Sequence, residues 1–91
     1  MRIVWSPRAI RDRNAIWEYI ASDDPVAATR VDTAFEETVD RLAEHPELGR
    51  AGLISGTREL LPISNYRIMY EISGQEVWIL AIVHTSRLWP Q

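Results

Sequence analysis

Ninety-one residues are enough for one hydrophobic core and not two, so residues 1–91 are expected to form a single domain. The chain has no cysteine, which excludes a disulfide framework and a cysteine-ligated zinc site, and no motif in it implies a cofactor. Its cations are ten arginines and no lysine; the net charge of −3 excludes a broad phosphate-neutralising surface and leaves room only for a local anion site.

The amino-terminal apolar stretch Ile3-Val4-Trp5 is too short for a signal peptide. The longest apolar run, Val77 to Val83, falls far below the roughly 20 residues of a membrane-spanning helix. A cytoplasmic setting without membrane contact is expected. Arg2 to Trp5 reads as a short strand. Ser6 then offers an N-cap and Pro7 the first position of a helix running to about Ala21, with Ala9, Ile10, Ile16, Trp17 and Ile20 as its apolar stripe. Asp24-Pro25 repeats the signal for a second helix, striped by Ala28, Val31, Phe35, Val39 and Leu42. That helix should stop near His45 because Pro46 disfavours helical backbone before it, and His45 then reads as a cation placed well against the helix dipole. Trp17, Tyr19, Phe35 and Trp78 are assigned to the core. Glu36, Glu37, Asp40, Arg41 and Glu44 are assigned to a solvated face.

Past Pro46 the composition changes: Gly49, Gly52 and Gly56 punctuate a loop. Thr57 to Leu61 reads as a weak strand. Tyr66, Ile68, Tyr70 and Ile72 alternate with Arg67, Met69 and Glu71 as in a half-buried strand, and Ser73-Gly74-Gln75 offers a hairpin turn. Val77 to Val83 is apolar throughout, the pattern of a central strand covered on both faces. The order β-α-α-β-β-β predicts an α+β domain: a twisted, mainly antiparallel sheet with a helical hairpin packed on one face.

Few residues carry chemistry. His84, at the end of the buried strand, suits proton transfer near neutrality or a hydrogen bond that caps the strand. Glu59 suits a general base or an ion pair with Arg67 across neighbouring strands. Arg67, on the face opposite Tyr66, Ile68 and Tyr70, suits a phosphate contact or an ordinary surface position. Trp89 suits packing back on the sheet or contact with a partner.

Four ordered passages resemble the RelE/ParE superfamily of toxins: Trp5 to Ala9 with Ile16 to Ile20 and Asp24 to Ala28; Leu42, His45-Pro46 and Leu48-Gly49-Arg50; Gly56 to Leu60 with Tyr66 to Tyr70; and Ile79 to Arg87 with Trp89-Pro90. The resemblance implies a toxin of a toxin–antitoxin pair, often found in plasmid-stabilisation or stress modules and neutralised by a cognate antitoxin. It leaves two targets: ParE-like inhibition of DNA gyrase, or RelE-like, metal-independent cleavage of ribosome-bound messenger RNA. For the ribonuclease, Arg67, Arg58, His84 and Arg87 are the candidate catalytic residues, Arg67 and Arg87 matching family arginines and Arg58 a position where those enzymes carry lysine. Leu60 replaces their companion lysine, and the four residues after Arg87 leave no place for a late tyrosine. The ParE side is therefore the expected one; a binding module without toxicity is the third class.

Overall fold

The computed structural model describes residues 1–60 and 63–89; Leu61 of the strand expected over Thr57 to Leu61, and Pro90, lie outside them. Strand β1 (Arg2–Trp5) leads into helix α1 (Pro7–Ala21), and α2 (Pro25–Asp40) follows, ending in a 3₁₀ turn at Arg41–Ala43. Both helices start as their sequences demand. The Ser6 hydroxyl accepts the Ala9 N–H at 3.1 Å, and the Asp24 carboxylate accepts the Ala27 N–H at 3.1 Å. Proline in each first turn occupies a place where a backbone N–H would have no helical partner, so its lack of one costs nothing.

Strands β2 (Arg50–Ala51), β3 (Thr57–Glu59), β4 (Tyr66–Ser73) and β5 (Glu76–His84) complete a sheet ordered β1-β5-β4-β3-β2. β1 runs parallel to β5, and the other pairings are antiparallel. The long apolar strand is central, as its composition predicts. Gly74, at φ +58°, opens the two-residue turn between β4 and β5. Ser64 and Asn65, both at positive φ, form a second two-residue turn between the bridged residues Ile63 and Tyr66.

Met69 faces Ala81 while Tyr70 faces Ile79, so Leu80 is the extra residue of a β-bulge. The bulge resets the alternation along β5. Val77, Ile79 and Ile82 join Ile68, Tyr70, Phe35, Val39 and Leu42 in the main core under the helices. Ala81 and Val83 join Met69 on the opposite face, where Leu80 and Trp89 pack against them. The Tyr70 hydroxyl crosses to the loop, donating to the Pro46 carbonyl and accepting the Gly49 N–H, each at 2.8 Å. A β-carbon on Gly49 would lie 2.7 Å from the Glu59 carbonyl, so only glycine lets the loop approach this closely.

Several expectations are corrected. Ile10, Trp17 and Tyr19 are 47%, 41% and 75% exposed and not core. A helix lying in an outer layer buries a narrow arc, here Ala9, Ile16 and partly Ile20, and residues one position on are rotated about 100° away from it. Trp78 is half-buried on the face away from the helices, its indole N–H donating to Glu76 at 3.2 Å. The α-helical part of α2 stops at Asp40, and the run continues through the 3₁₀ turn to exposed His45, whose N–H donates to the Arg41 carbonyl at 2.9 Å. The glycine-rich loop contains β2, a strand that its composition hides. No helix among the described residues is long and apolar enough to cross a membrane.

Candidate functional site

The structure divides the candidate residues between the two sheet faces. Arg67 lies opposite Val83, away from the helices, and its guanidinium meets Glu59 at 3.3 Å. Glu59 is only 6% exposed, and its carboxylate also takes Arg50, through Nε at 2.8 Å. One buried carboxylate thus joins two guanidiniums. The Glu59–Arg67 pairing is the cross-strand use anticipated for Glu59; Arg50 was not anticipated, because it faces Glu59 only through the register of β2 and β3. Arg67 Nη2 also donates to the Arg87 carbonyl, tying the segment after β5 to this face. Trp89 packs back over the Met69, Ala81 and Val83 cluster. Arg67 Nε and Trp89 Nε1 are buried there without a protein acceptor.

His84 belongs to the other face. It pairs with Tyr66 across β4 and β5, the two rings meeting edge to face at 5.4 Å. The His84 Nδ1 accepts the Ser86 N–H at 3.1 Å and lies 2.8 Å from the Ser86 hydroxyl, so Nε2 carries the proton of the neutral ring. The Asn65 carbonyl accepts the Thr85 N–H at 2.7 Å and fixes the turn beside this segment. A groove of about 510 Å³ opens here between α1 and the end of β5, lined by Arg8, Asp12, Tyr19, Tyr66, His84 and Arg87. Asp12 accepts the Ile82 N–H at 3.0 Å, satisfying a donor next to the bulge, and lies 3.5 Å from Arg8. Burial pushes the Tyr66 phenol above its usual range, and the nearby Tyr19 adds to this.

Arg58 joins neither group. It faces Tyr70 in register, and its guanidinium donates to the Gly49 carbonyl at 2.8 Å. Leu60 is 4% exposed and part of the main core. A second groove, about 440 Å³, is lined by Trp5, Ile10, Arg13, Trp17 and Asp32 on the helical side. Arg13 is clamped there on Asp32 through Nε at 2.6 Å and Nη2 at 2.9 Å, and it lies over the Trp5 ring at 4.9 Å. The bond to Asp32 raises the Arg13 pKa against the opposing effect of burial. Ile10 and Trp17 at this groove are exposed although their spacing suits the core, because spacing alone does not distinguish a buried arc from its flank.

Two packed helices capped at Ser6 and Asp24, on a five-stranded sheet with a parallel first strand, define a small α+β toxin fold that known proteins share. The chain matches the family described as "ParE toxin of type II toxin-antitoxin system, parDE" over residues 3–89. It is 47% identical over 91 residues to Y4kP, a candidate toxin of Sinorhizobium fredii, covering 99% of this chain and 94% of that one. Toxin RelE2 of Caulobacter vibrioides is 38% identical over 87 residues, covering 96% and 98% of the two chains. Among solved structures, a chain of the chromosomal ParDE system from P. aeruginosa superposes with a TM-score of 0.80 at 26% identity, over 92% of this chain and 95% of that one. This chain therefore belongs to the ParE toxin family of type II toxin–antitoxin systems, within the RelE/ParE superfamily.

Proposed function

We propose that this toxin acts by binding and inhibiting DNA gyrase, and that a cognate antitoxin holds it inactive by direct contact. The observation that carries the reading is the separation of the candidate catalytic groups. Cleavage at a 2′-hydroxyl needs a base, an acid and a phosphate cation around one phosphodiester. Here the Arg67 guanidinium is taken up by Glu59 and the Arg87 carbonyl on one sheet face, His84 lines a groove on the other together with Arg87, and Arg58 is spent on loop carbonyls. Leu60, where the ribonucleases have a lysine, fills the core. The competing ribonuclease reading draws its support from the Glu59–Arg67 pair, a carboxylate beside a guanidinium on the face free of helices.

The test is induction in bacteria with two readouts. Intact messenger RNA by primer extension on ribosome-bound transcripts, together with loss of gyrase supercoiling by the purified chain, is the expected result. Codon-specific cuts that vanish in Arg67→Ala overturn it and make the toxin a messenger RNA endonuclease. For the antitoxin, the exposed Ile10 and Trp17 beside Trp5 offer an amphipathic segment an apolar seat.

A further inference from the structure

Six of the ten arginines are committed to a carboxylate or to loop carbonyls. Arg2 pairs with Glu76, Arg8 with Asp12, Arg13 with Asp32 and Glu36, and Arg50 and Arg67 share Glu59. Arg58 donates to the carbonyls of Glu47 and Gly49. Arg11, Arg30 and Arg41 line neither groove. Of the described arginines that line these grooves, Arg87 alone has no carboxylate partner. In a chain of net charge −3, it is the groove cation that no described carboxylate neutralises.

Three aromatic rings, Tyr19, Tyr66 and His84, line the same groove. Tyr19 presents a ring that is 75% exposed, held on α1 with no core to fill, and Tyr66 faces it from β4. His84 stands between Tyr66 and Arg87, its ring fixed by Ser86 so that Nε2 is the donor of its neutral form. Arg8 adds a second cation. Its partner Asp12 also accepts the Ile82 N–H, so that carboxylate has a structural task and the guanidiniums outnumber it two to one. A volume of about 510 Å³ is within the range of small-molecule sites. Guanidiniums beside exposed aromatic rings are the pairing that holds a phosphate and stacks the base attached to it.

We propose that the groove between α1 and the end of β5 binds a single phosphorylated nucleoside, with Arg87 and Arg8 on the phosphate, the His84 Nε2 proton as a further donor, and Tyr19 against the base. The site makes no demand on which macromolecule the toxin inhibits, and it stands or falls separately from that reading.

The experiment is a titration of the ¹⁵N-labelled chain followed by NMR, with AMP, UMP, adenosine and inorganic phosphate as probes. AMP or UMP should move the signals of His84, Ser86 and Arg87, and adenosine or inorganic phosphate alone should bind at least about fivefold more weakly, each lacking half of the contact. Tyr19→Ala and Arg87→Gln should each weaken nucleotide binding by about fivefold or more. Both positions are exposed, and an unchanged spectrum outside the groove confirms that each variant is folded. Inorganic phosphate binding as well as AMP, a neutral Tyr19→Ala, or no response of the groove signals to millimolar nucleotide would each overturn the proposal.

Discussion

The two faces of the sheet are built from the same strands and on different terms. Toward the helices, Ile68, Tyr70, Val77, Ile79 and Ile82 interlock with Phe35, Val39 and Leu42 and exclude water. Away from them, Met69, Ala81 and Val83 form a small apolar patch flanked by the Arg50–Glu59–Arg67 cluster, and Trp89 closes over it. The first face owes its stability to dispersion and the hydrophobic effect, whose strength follows buried area. The second depends on charges whose desolvation largely offsets their attraction. The contrast separates a face that holds the fold from one whose interactions a partner or a mutation can rearrange at lower cost.

The largest expected effect is on the helix side. Phe35→Ala should cost about 3–5 kcal/mol in urea denaturation, a large share of what a domain this small has. Met69→Ala, on the thin face, should cost about 2 kcal/mol, at the low end for such truncations; equal losses at the two sites would break the comparison.

Next comes the ion cluster. Glu59→Gln leaves Arg67, whose side chain is 14% exposed, without its counter-charge. The expected loss is about 2–3 kcal/mol, below that of a fully enclosed pair because Arg50 opens the cluster to water. Adding Arg67→Met to Glu59→Gln should recover at least half of the loss. A double variant no more stable than Glu59→Gln would mean that the face depends on its charges after all.

Tyr70→Phe keeps the ring in the core and removes the bond to the loop, leaving the Gly49 N–H and Pro46 carbonyl unpaired for about 1–2 kcal/mol. Burial raises the Tyr70 pKa in the folded state. Since the folded phenol holds its proton longer than the unfolded one, this contribution is complete below the ordinary tyrosine value of about 10 and is lost as pH rises beyond it. Denaturation above pH about 10 should therefore weaken the parent chain more than Tyr70→Phe. Arg2→Ala is the smallest case: Arg2 is 75% exposed, and loss of its pair with Glu76 should change stability by less than about 0.5 kcal/mol.

What could be read from the sequence was local. Ser6-Pro7 and Asp24-Pro25 announce helix starts because a cap and its N–H are three residues apart, and the apolar run to Val83 announces a central strand by composition alone. Strand β2 stayed hidden because two residues have no period, and the Leu80 bulge because it depends on how β4 meets β5. The same divide runs through the candidate site. Glu59 and Arg67 lie on strands expected to be neighbours, whereas nothing near Arg8, Asp12 or Tyr19 states that α1 will lie beside His84 and Arg87. The exposure of Trp17 and Tyr19 is not legible in the sequence, because large aromatic side chains at helical spacing suit a core and an exposed flank equally well.

The parallel pairing of β1 with β5 also orders events in time. The first described strand finds its only sheet partner in the last one, joined at Arg2↔Glu76 through Trp5↔Ile79. Such distant contacts close late, after most of the loop entropy has been lost. On a ribosome, the helical hairpin can coil as it emerges, but the sheet beneath it has no centre until Glu76–His84 has been synthesised. A nascent toxin therefore lacks its folded surface until that strand has been made.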